Sequence, residues 1–285
     1  MWTFEEKSRN VHVLRINLNH WNDEQWVLLQ SDVHWDNPHC DRAMLKKHLD
    51  LALERNAPVL DAGDFFCAMQ GKYDPRGSKK DVRPEHQVNN YLDALVDTAA
   101  KFMEPYKSIL ALRGRGNHET SIGKRHETDL TERLSERLRA NGSPARAGGY
   151  GGFVRFCVTV GNNKNTKKFI YHYYHGSGGG GPVTRGVIQT NRMSVYLADC
   201  DIVHSGHTHD AWQLPIARIR LNHHDHIEHS RITFIRTAGY KEEYGDGYGG
   251  WHIERGGPPK PTGAAWLRIY AAGKDKFDYE ITEAR

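Results

Sequence analysis

The sequence predicts an α/β protein built as a layered sandwich and not as a barrel. Two observations carry this. The first half alternates short apolar runs with stretches of helical spacing, in the order βαβαβα, and the second half is a succession of strand-like segments. Several of those later segments alternate apolar with polar residues, are rich in aromatics, and are separated by Gly or Asn turns. No repeat recurs at a fixed period, and the glycine-rich tracts at 148–152 and 176–181 are too short to link domains. Residues 1–285 are therefore read as one domain. Its motif-bearing core spans about 25–210, and 211–285 supplies strands expected to complete the second sheet.

The elements follow in order. Gln25 to Gln30 is an apolar run ending at Ser31-Asp32, a buried strand that delivers polar residues at its C-terminal end. From Asp41 to Arg55, Met44, Leu45, His48, Leu49, Ala52 and Leu53 mark a helical stripe, with Asp41 suited to the cap or first turn. Pro58 to Asp61 reads as a second strand, running into Gly63-Asp64. A polar loop from Gln70 to Arg83 precedes a helix predicted over Pro84 to Met103, with Val88, Tyr91, Leu92, Leu95 and Val96 as its apolar face. Ser108 to Leu112 is a third strand leading to Gly116-Asn117-His118, and Leu130, Leu134 and Leu138 predict a further helix. Strands are then expected at 153–160, 168–175, 201–205, 212–221, 227–236, 265–270 and 277–281, with one helix near Thr190 to Asp199.

Charge is nearly balanced, 39 Lys+Arg against 35 Asp+Glu, so net charge neither requires nor excludes a nucleic-acid partner. The 18 histidines are the oddity of composition, because neutral imidazole is the commonest metal ligand. Cys40, Cys67, Cys157 and Cys200 are scattered without a CxxC pair, which fits reduced thiols. The start, MWTFEEKSRN, lacks the apolar core of a signal peptide, and no run approaches the ~20 residues of a membrane span. A soluble cytoplasmic protein with no membrane partner is expected.

Chemistry concentrates at strand ends. The first three strands end in Asp32-Val33-His34, Gly63-Asp64 and Gly116-Asn117-His118; two later ones end at His175-Gly176 and Gly206-His207-Thr208-His209. Layered α/β sheets place ligand sites outside the carboxyl ends of their strands, so these five ends can converge. The i, i+2 spacing of Asp32/His34 and of His207/His209 puts each pair on one face of an extended chain. Glycine before Asp64, Asn117 and His207 permits a sharp turn after each strand. For the fourth end, His172 and His175 compete. His175 is preferred because it leaves the strand into glycine, whereas His172 falls on the opposite face.

In this order the blocks resemble the calcineurin-like metallophosphoesterase superfamily, over about residues 25 to 210. The resemblance implies a four-layer α-β-β-α sandwich, two packed, mostly mixed sheets flanked by helices, with two divalent ions at the strand ends. It implies that Asp32, His34 and His209 hold the first ion, Asn117, His175 and His207 the second, and that Asp64 bridges them. His118 would face the substrate and assist the leaving group. Two dications roughly 3.5–4 Å apart can clamp both attacking and leaving oxygens, and can lower the pKa of bound water from about 15.7 to about 7. The O/N donor set suits Mn²⁺, Fe or Zn²⁺, with Mn²⁺ the ion to add in an assay.

Other features bear on the substrate. Trp35 beside His34 could stack a base or pack its loop. Arg115 and Arg125 flank the Asn117-His118 block, and with Arg76, Lys79, Lys80, Arg83, Arg113 and Lys124 could line a phosphate-tracking groove or lie on a solvated surface. The histidine-rich run Asn222 to His229 reads as a hairpin tip, and the Gly/Tyr-rich stretch 239–251 as a cap over the site or a packed loop. The expected activity is a phosphodiesterase or nuclease acting on DNA, RNA or nucleotides. A phosphomonoesterase or protein phosphatase is the alternative: Glu119 favours it, but Phe65-Phe66 stands without the Asp-Arg-Gly expected downstream. A non-catalytic metal-binding scaffold comes third, since the ligand set is complete.

Overall fold

The computed structural model describes residues 2–71, 81–161, 166–179, 181, 183–222, 224–249, 251–273 and 276–285. The chain opens with β1 (Trp2–Ser8) and β2 (Val11–Leu18), then β3 (Glu24–Gln30), α1 (Arg42–Glu54) and β4 (Val59–Asp61). There follow α2 (Tyr91–Met103), β5 (Leu110–Arg113), α3 (Asn117–His126), α4 (Leu130–Ala140) and β6 (Arg146–Ala147). The remainder is β7 (Gly151–Val160), β8 (Thr166–Tyr174), α5 (Val187–Met193), β9 (Ile202–Ser205), β10 (Trp212–Leu221), β11 (Ile227–Arg236), α6 (Trp251–Glu254), β12 (Ala264–Ala271) and β13 (Phe277–Ala284).

Two mixed sheets result, one in the order β1-β2-β7-β8-β9-β11-β10 and the other β13-β12-β3-β4-β5-β6. Strands β3 to β6 run parallel, β12 pairs antiparallel with β3, and β13 pairs antiparallel with β12. Alternation along β3 shows how the layers form. Val27 and Leu29 face the other sheet and pack with Leu14, Ile16, Phe156 and Tyr171, while Leu28 faces outward onto the helices. That outer layer is Leu45 and Leu49 of α1, Leu95, Ala99 and Met103 of α2, and Leu134 and Leu138 of α4. On the far side, Met193 of α5 and Leu197 cover Val203, Ile232 and Phe234. The four layers predicted for the fold are present.

Several parts differ from the expectation, among them the helix expected near Thr190 to Asp199, which is α5 and ends at Met193. The helix predicted from Pro84 begins at Tyr91, and Pro84–His86 is a lone 3₁₀ turn. Asn89 and Asn90 intervene, a residue type that prefers caps to helix interiors, and Val88 is exposed instead of joining the apolar face. The strands after 211 do not all complete one sheet: β10 and β11 extend the first, β12 and β13 the second. Alternation records that one face of a strand is buried, not which sheet it joins. The N-terminal hairpin β1–β2 and helix α3 were not anticipated. The connection from β11 to β12 crosses between the sheets at their common edge, where Gly239 and Tyr240 hydrogen-bond to Gly263 and Asp32.

Candidate metal centre

The carboxyl ends of β3, β4, β5, β8 and β9 meet at that edge. The first three belong to one sheet and the last two to the other. Past the last ladder bond the loops stay in register: Asp32 N–H donates to Gly63 O at 2.9 Å, His34 N–H to Asp64 O at 3.1 Å, and Gly206 N–H to His175 O at 2.9 Å. Two sets of metal-capable side chains form there, Asp32 with His34 and His209, and Asp64 with His175 and His207, each with ligand atoms within 4.8 Å of one another. Asn117 joins the second set, its Oδ1 3.2 Å from His175 Nε2.

The backbone differs from the extended geometry expected of the i, i+2 pairs. Asp32, His34, Asp64, His207 and His209 all have left-handed φ, between 52° and 74°. For residues with a Cβ this region is sparsely populated, and such residues cluster at functional sites. Each pair thus faces one point because two left-handed residues flank an intervening one, not because the chain is a strand. The glycines act differently too. Gly63 has φ +108°, but at Gly116 and Gly206 a Cβ would lie 2.0 Å from Asp64 Oδ1 and 2.1 Å from Asp32 Oδ2. Those two positions are bare so that the carboxylates can lie against the backbone.

Each carboxylate is anchored by one oxygen and presents the other. Asp64 Oδ1 accepts from His118 N–H at 2.9 Å, and Oδ2 lies 3.1 Å from His175 Nε2 and 3.7 Å from His118 Nε2. Asp32 Oδ2 accepts from His207 N–H at 2.9 Å. Its Oδ1, fully buried, has no hydrogen-bond partner among the described residues, with the Nε2 atoms of His209 and His34 at 3.4 and 3.9 Å. A buried carboxylate oxygen left so is costly, and a cation relieves the cost. His34 Nε2 and His209 Nε2 lie 3.2 Å apart, and His175 Nδ1–H donates to Ala62 O at 3.1 Å, which leaves the Nε2 lone pair aimed inward. These donors fit hard or borderline dications.

The groups polarise one another. Burial opposes its charge, but His175 and His118 hold the Asp64 carboxyl well below the usual range. The same carboxylate, against burial, raises His175 to about 9. Burial, then the charges of His118 and His209, pushes His34 far down. Burial and His175 lower His207.

Of the residues expected to touch substrate, His118 lies beside both Asp64 and His34. Its ring stands edge-on to His34 at 4.9 Å between centroids, and its Nδ1–H donates to Cys67 O at 2.5 Å. Trp35 is a correction. Only 3 % exposed, it packs on Phe102 at 4.7 Å, lies under the Arg42 guanidinium, and donates from Nε1 to Thr98 Oγ1 at 3.0 Å. Its aromatic face is consumed by α1 and α2, so it cannot stack a base. Arg115 is another: its guanidinium pairs with Asp129 in a cleft shared with Glu132, Arg139 and Arg146. Arg125 is exposed near the C-terminal end of α3, eight residues or about 12 Å along the axis from Asn117. Arg113 is buried over Phe65, and Arg83 ties the Asn37–Cys40 loop together by donating to Asn37 O and Cys40 O. Arg76, Lys79 and Lys80 lie outside the described residues. The run Asn222–His229 spans the β10–β11 turn, as expected of a hairpin tip, and His223 is outside the described residues.

His172 faces away from the centre, its ring 4.6 Å from Phe153. Burial pushes its pKa down to about 4. The folded value lies below the unfolded one of about 6.5, so its contribution is complete above that pH and is lost as pH falls toward 4, about 3 kcal/mol in all. In denaturant titrations at pH 7 and pH 4, the wild type should lose about that much more stability than His172→Phe. The substitution should leave bound metal unchanged; loss of metal would place His172 at the centre.

Three carboxylates escaped sequence reasoning as parts of the site. Glu119, buried, accepts from the N–H groups of Asp64, Phe66 and Gly116 at 3.2, 2.8 and 2.8 Å, binding two ligand loops together. Burial, then the Asp64 charge, raises its pKa to about 8. Asp36 accepts from Cys67 and Ala68 N–H and from Tyr91 O–H. Glu243, in the Gly/Tyr-rich stretch, lies 3.6 Å from His209 Nδ1 and pairs with Lys241 at 2.9 Å. That stretch therefore walls the centre at its start, while 245, 246, 248 and 249 are exposed. The Glu119 signal was available: a glutamate three residues past the cap, with Lys124, Arg125 and His126 in the last turn, marks a helix despite its single large apolar residue.

No family model and no curated protein matches the chain. Among solved structures it is similar to a conserved uncharacterized protein, a predicted phosphoesterase, from Streptococcus pneumoniae TIGR4, at 11% identity over 92% of this chain and 91% of that one, TM-score 0.33. It is also similar to a metallophosphoesterase from Sphaerobacter thermophilus, at 13% identity over 92% and 90%, TM-score 0.31. Likenesses this distant decide nothing about activity, which rests on the geometry of the centre.

Proposed function

We propose that this chain is a calcineurin-like metallophosphoesterase that hydrolyses phosphodiesters, nucleic acids or nucleotides among them, with two bound dications. The observation that carries the reading is the meeting of Asp32/His34/His209 with Asp64/His175/His207 at one edge, His118 beside Asp64. The first set would hold one ion, His175 and His207 with Asn117 the other, and Asp64, which lies against His175 and His118, would be shared. When bound, the pair supplies a water of lowered pKa and neutralises charge on the phosphoryl oxygens.

The side chains divide the remaining work. Cys67 O, accepting from His118 Nδ1–H, orients the ring and leaves Nε2 beside Asp64 Oδ2, where an ester held by the ions would lie. From Nε2–H the imidazolium gives its proton to the departing alkoxide. Glu119 keeps the Asp64 and Asn117 loops at fixed separation through its three backbone bonds. That structural duty accounts for Glu119 without a protein-phosphatase role, and Phe65 and Phe66 are buried core residues. Diesters are therefore preferred to phosphoproteins as substrate.

Purified protein with Mn²⁺ should cleave a chromogenic diester and labelled single- or double-stranded DNA or RNA. His118→Ala should lower kcat by roughly 10²–10⁴-fold and leave metal stoichiometry intact. Cleavage of monoesters alone would overturn the diester reading; bound metal without turnover would overturn the enzyme.

A further inference from the structure

A sulfur that belongs to neither set of ligands lies beside them. Cys67, three residues beyond Asp64, has its sulfur within 4.8 Å of a ring nitrogen of His34 and a ring nitrogen of His118, and those two nitrogens are equally close to each other. This sulfur is held in place from several sides. Cys67 N–H donates to Asp36 Oδ1 at 2.7 Å, Cys67 O accepts from His118 at 2.5 Å, and Asn37 Nδ2 lies 3.6 Å from Sγ. Asp36 is itself fully buried and fixed by Ala68 N–H at 2.9 Å and Tyr91 O–H at 2.7 Å. Ala68 turns the chain away at φ 49°.

Zinc bonds nitrogen at about 2.0–2.1 Å and sulfur at about 2.3 Å, so two ligand atoms of a tetrahedral ion stand roughly 3.3–3.6 Å apart. From 4.8 Å or less, small side-chain rotations reach that spacing. One thiolate and two imidazoles select thiophilic ions over Mn²⁺ or Mg²⁺. We propose that Cys67, His34 and His118 form a third, thiophilic metal site that overlaps the catalytic centre and at which Zn²⁺ or Cd²⁺ inhibits. Binding forms one sulfur–metal bond and two nitrogen–metal bonds, and the thiol proton leaves to solvent. No electron transfer is involved. Inhibition rests on the roles given above to His34 and His118: the ion takes a ligand from the first position and the nitrogen that serves the leaving group. The existence of the site does not rest on those roles.

The test uses the full chain stripped of metal and titrated with Cd²⁺ or Co²⁺. One equivalent should give a near-ultraviolet sulfur-to-metal charge-transfer band that Cys67→Ser abolishes and His209→Ala, altered only at the first position, retains. X-ray absorption of the Cd²⁺-loaded wild type should show one sulfur among nitrogen and oxygen ligands, a readout that needs no variant to fold. In the Mn²⁺-loaded enzyme, the Cd²⁺ concentration for half-inhibition should rise at least about tenfold in Cys67→Ser. A metal shell without sulfur, or a band that survives Cys67→Ser, overturns the site. Sulfur ligation in a protein that hydrolyses no ester upholds the site and sinks the phosphoesterase reading. Hydrolysis with no sulfur in the shell does the reverse.

Discussion

Replacing Asp64 with asparagine should empty both metal positions and lower phosphoester hydrolysis on the order of 10⁴-fold or more. The expectation follows from what each oxygen of Asp64 does. Oδ1 is spent on the N–H of His118, so Oδ2, 3.1 Å from His175 Nε2 and 3.7 Å from His118 Nε2, is the oxygen left for the bridge proposed above. Asparagine keeps the size of the side chain and tolerates left-handed backbone, as the φ of 55° requires, so the fold should persist. What disappears is the negative charge that lifts His175 to about 9 and, in the proposed centre, would draw dications in. Metal analysis and kcat on the same preparation decide the matter. Two bound ions with activity within tenfold of wild type would falsify the bridging role.

Glu119→Ala should produce the largest loss of stability. Three buried N–H groups, on Asp64, Phe66 and Gly116, would lose their acceptor at once. An orphaned buried donor costs roughly 1–3 kcal/mol, and allowing for partial relaxation about 3–6 kcal/mol is expected in denaturant titration of the metal-free protein. Glu119→Gln retains an acceptor oxygen but turns an amide N–H₂ toward one of these donors, so it should lose about one bond's worth, near 1–2 kcal/mol. In both variants metal affinity should fall by about 10–100-fold, because the loops bearing Asp64 and Asn117 are no longer tied. Equal stability of the alanine and glutamine forms would show that the three contacts are not what Glu119 contributes.

The strand ends were legible because short apolar runs stop abruptly at Asp32, Asp64 and Asn117, and the order of the polar blocks is informative where no single block is. The residues around them were not legible, for reasons of distance. Apart from the Glu119 bond to Gly116 N–H, which is local, Asp36, Glu119 and Glu243 act through backbone N–H groups or a histidine ring brought near by folding, and nothing in their local sequence names those partners. Trp35 and Arg115 misled for the opposite reason. Adjacency to His34 or Asn117 in sequence says little about direction, since a left-handed residue at His34 turns the next side chain inward, toward Phe102 and Arg42. Helix α3 was hidden because its only large apolar residue is Ile122, so periodicity had nothing to register and only Glu119 in its first turn and the basic last turn spoke.

The two sheets contribute unequally but jointly to the centre: Asp32, His34, Asp64 and Asn117 follow strands of one, His175, His207 and His209 strands of the other. Each proposed ion would therefore draw ligands from both halves of the sandwich and act as a rivet across its seam. A substitution deep between the sheets, far from any ligand, would then be felt as a change in the gap the rivets must span. The tolerances of the core and of the chemistry are in this sense one specification.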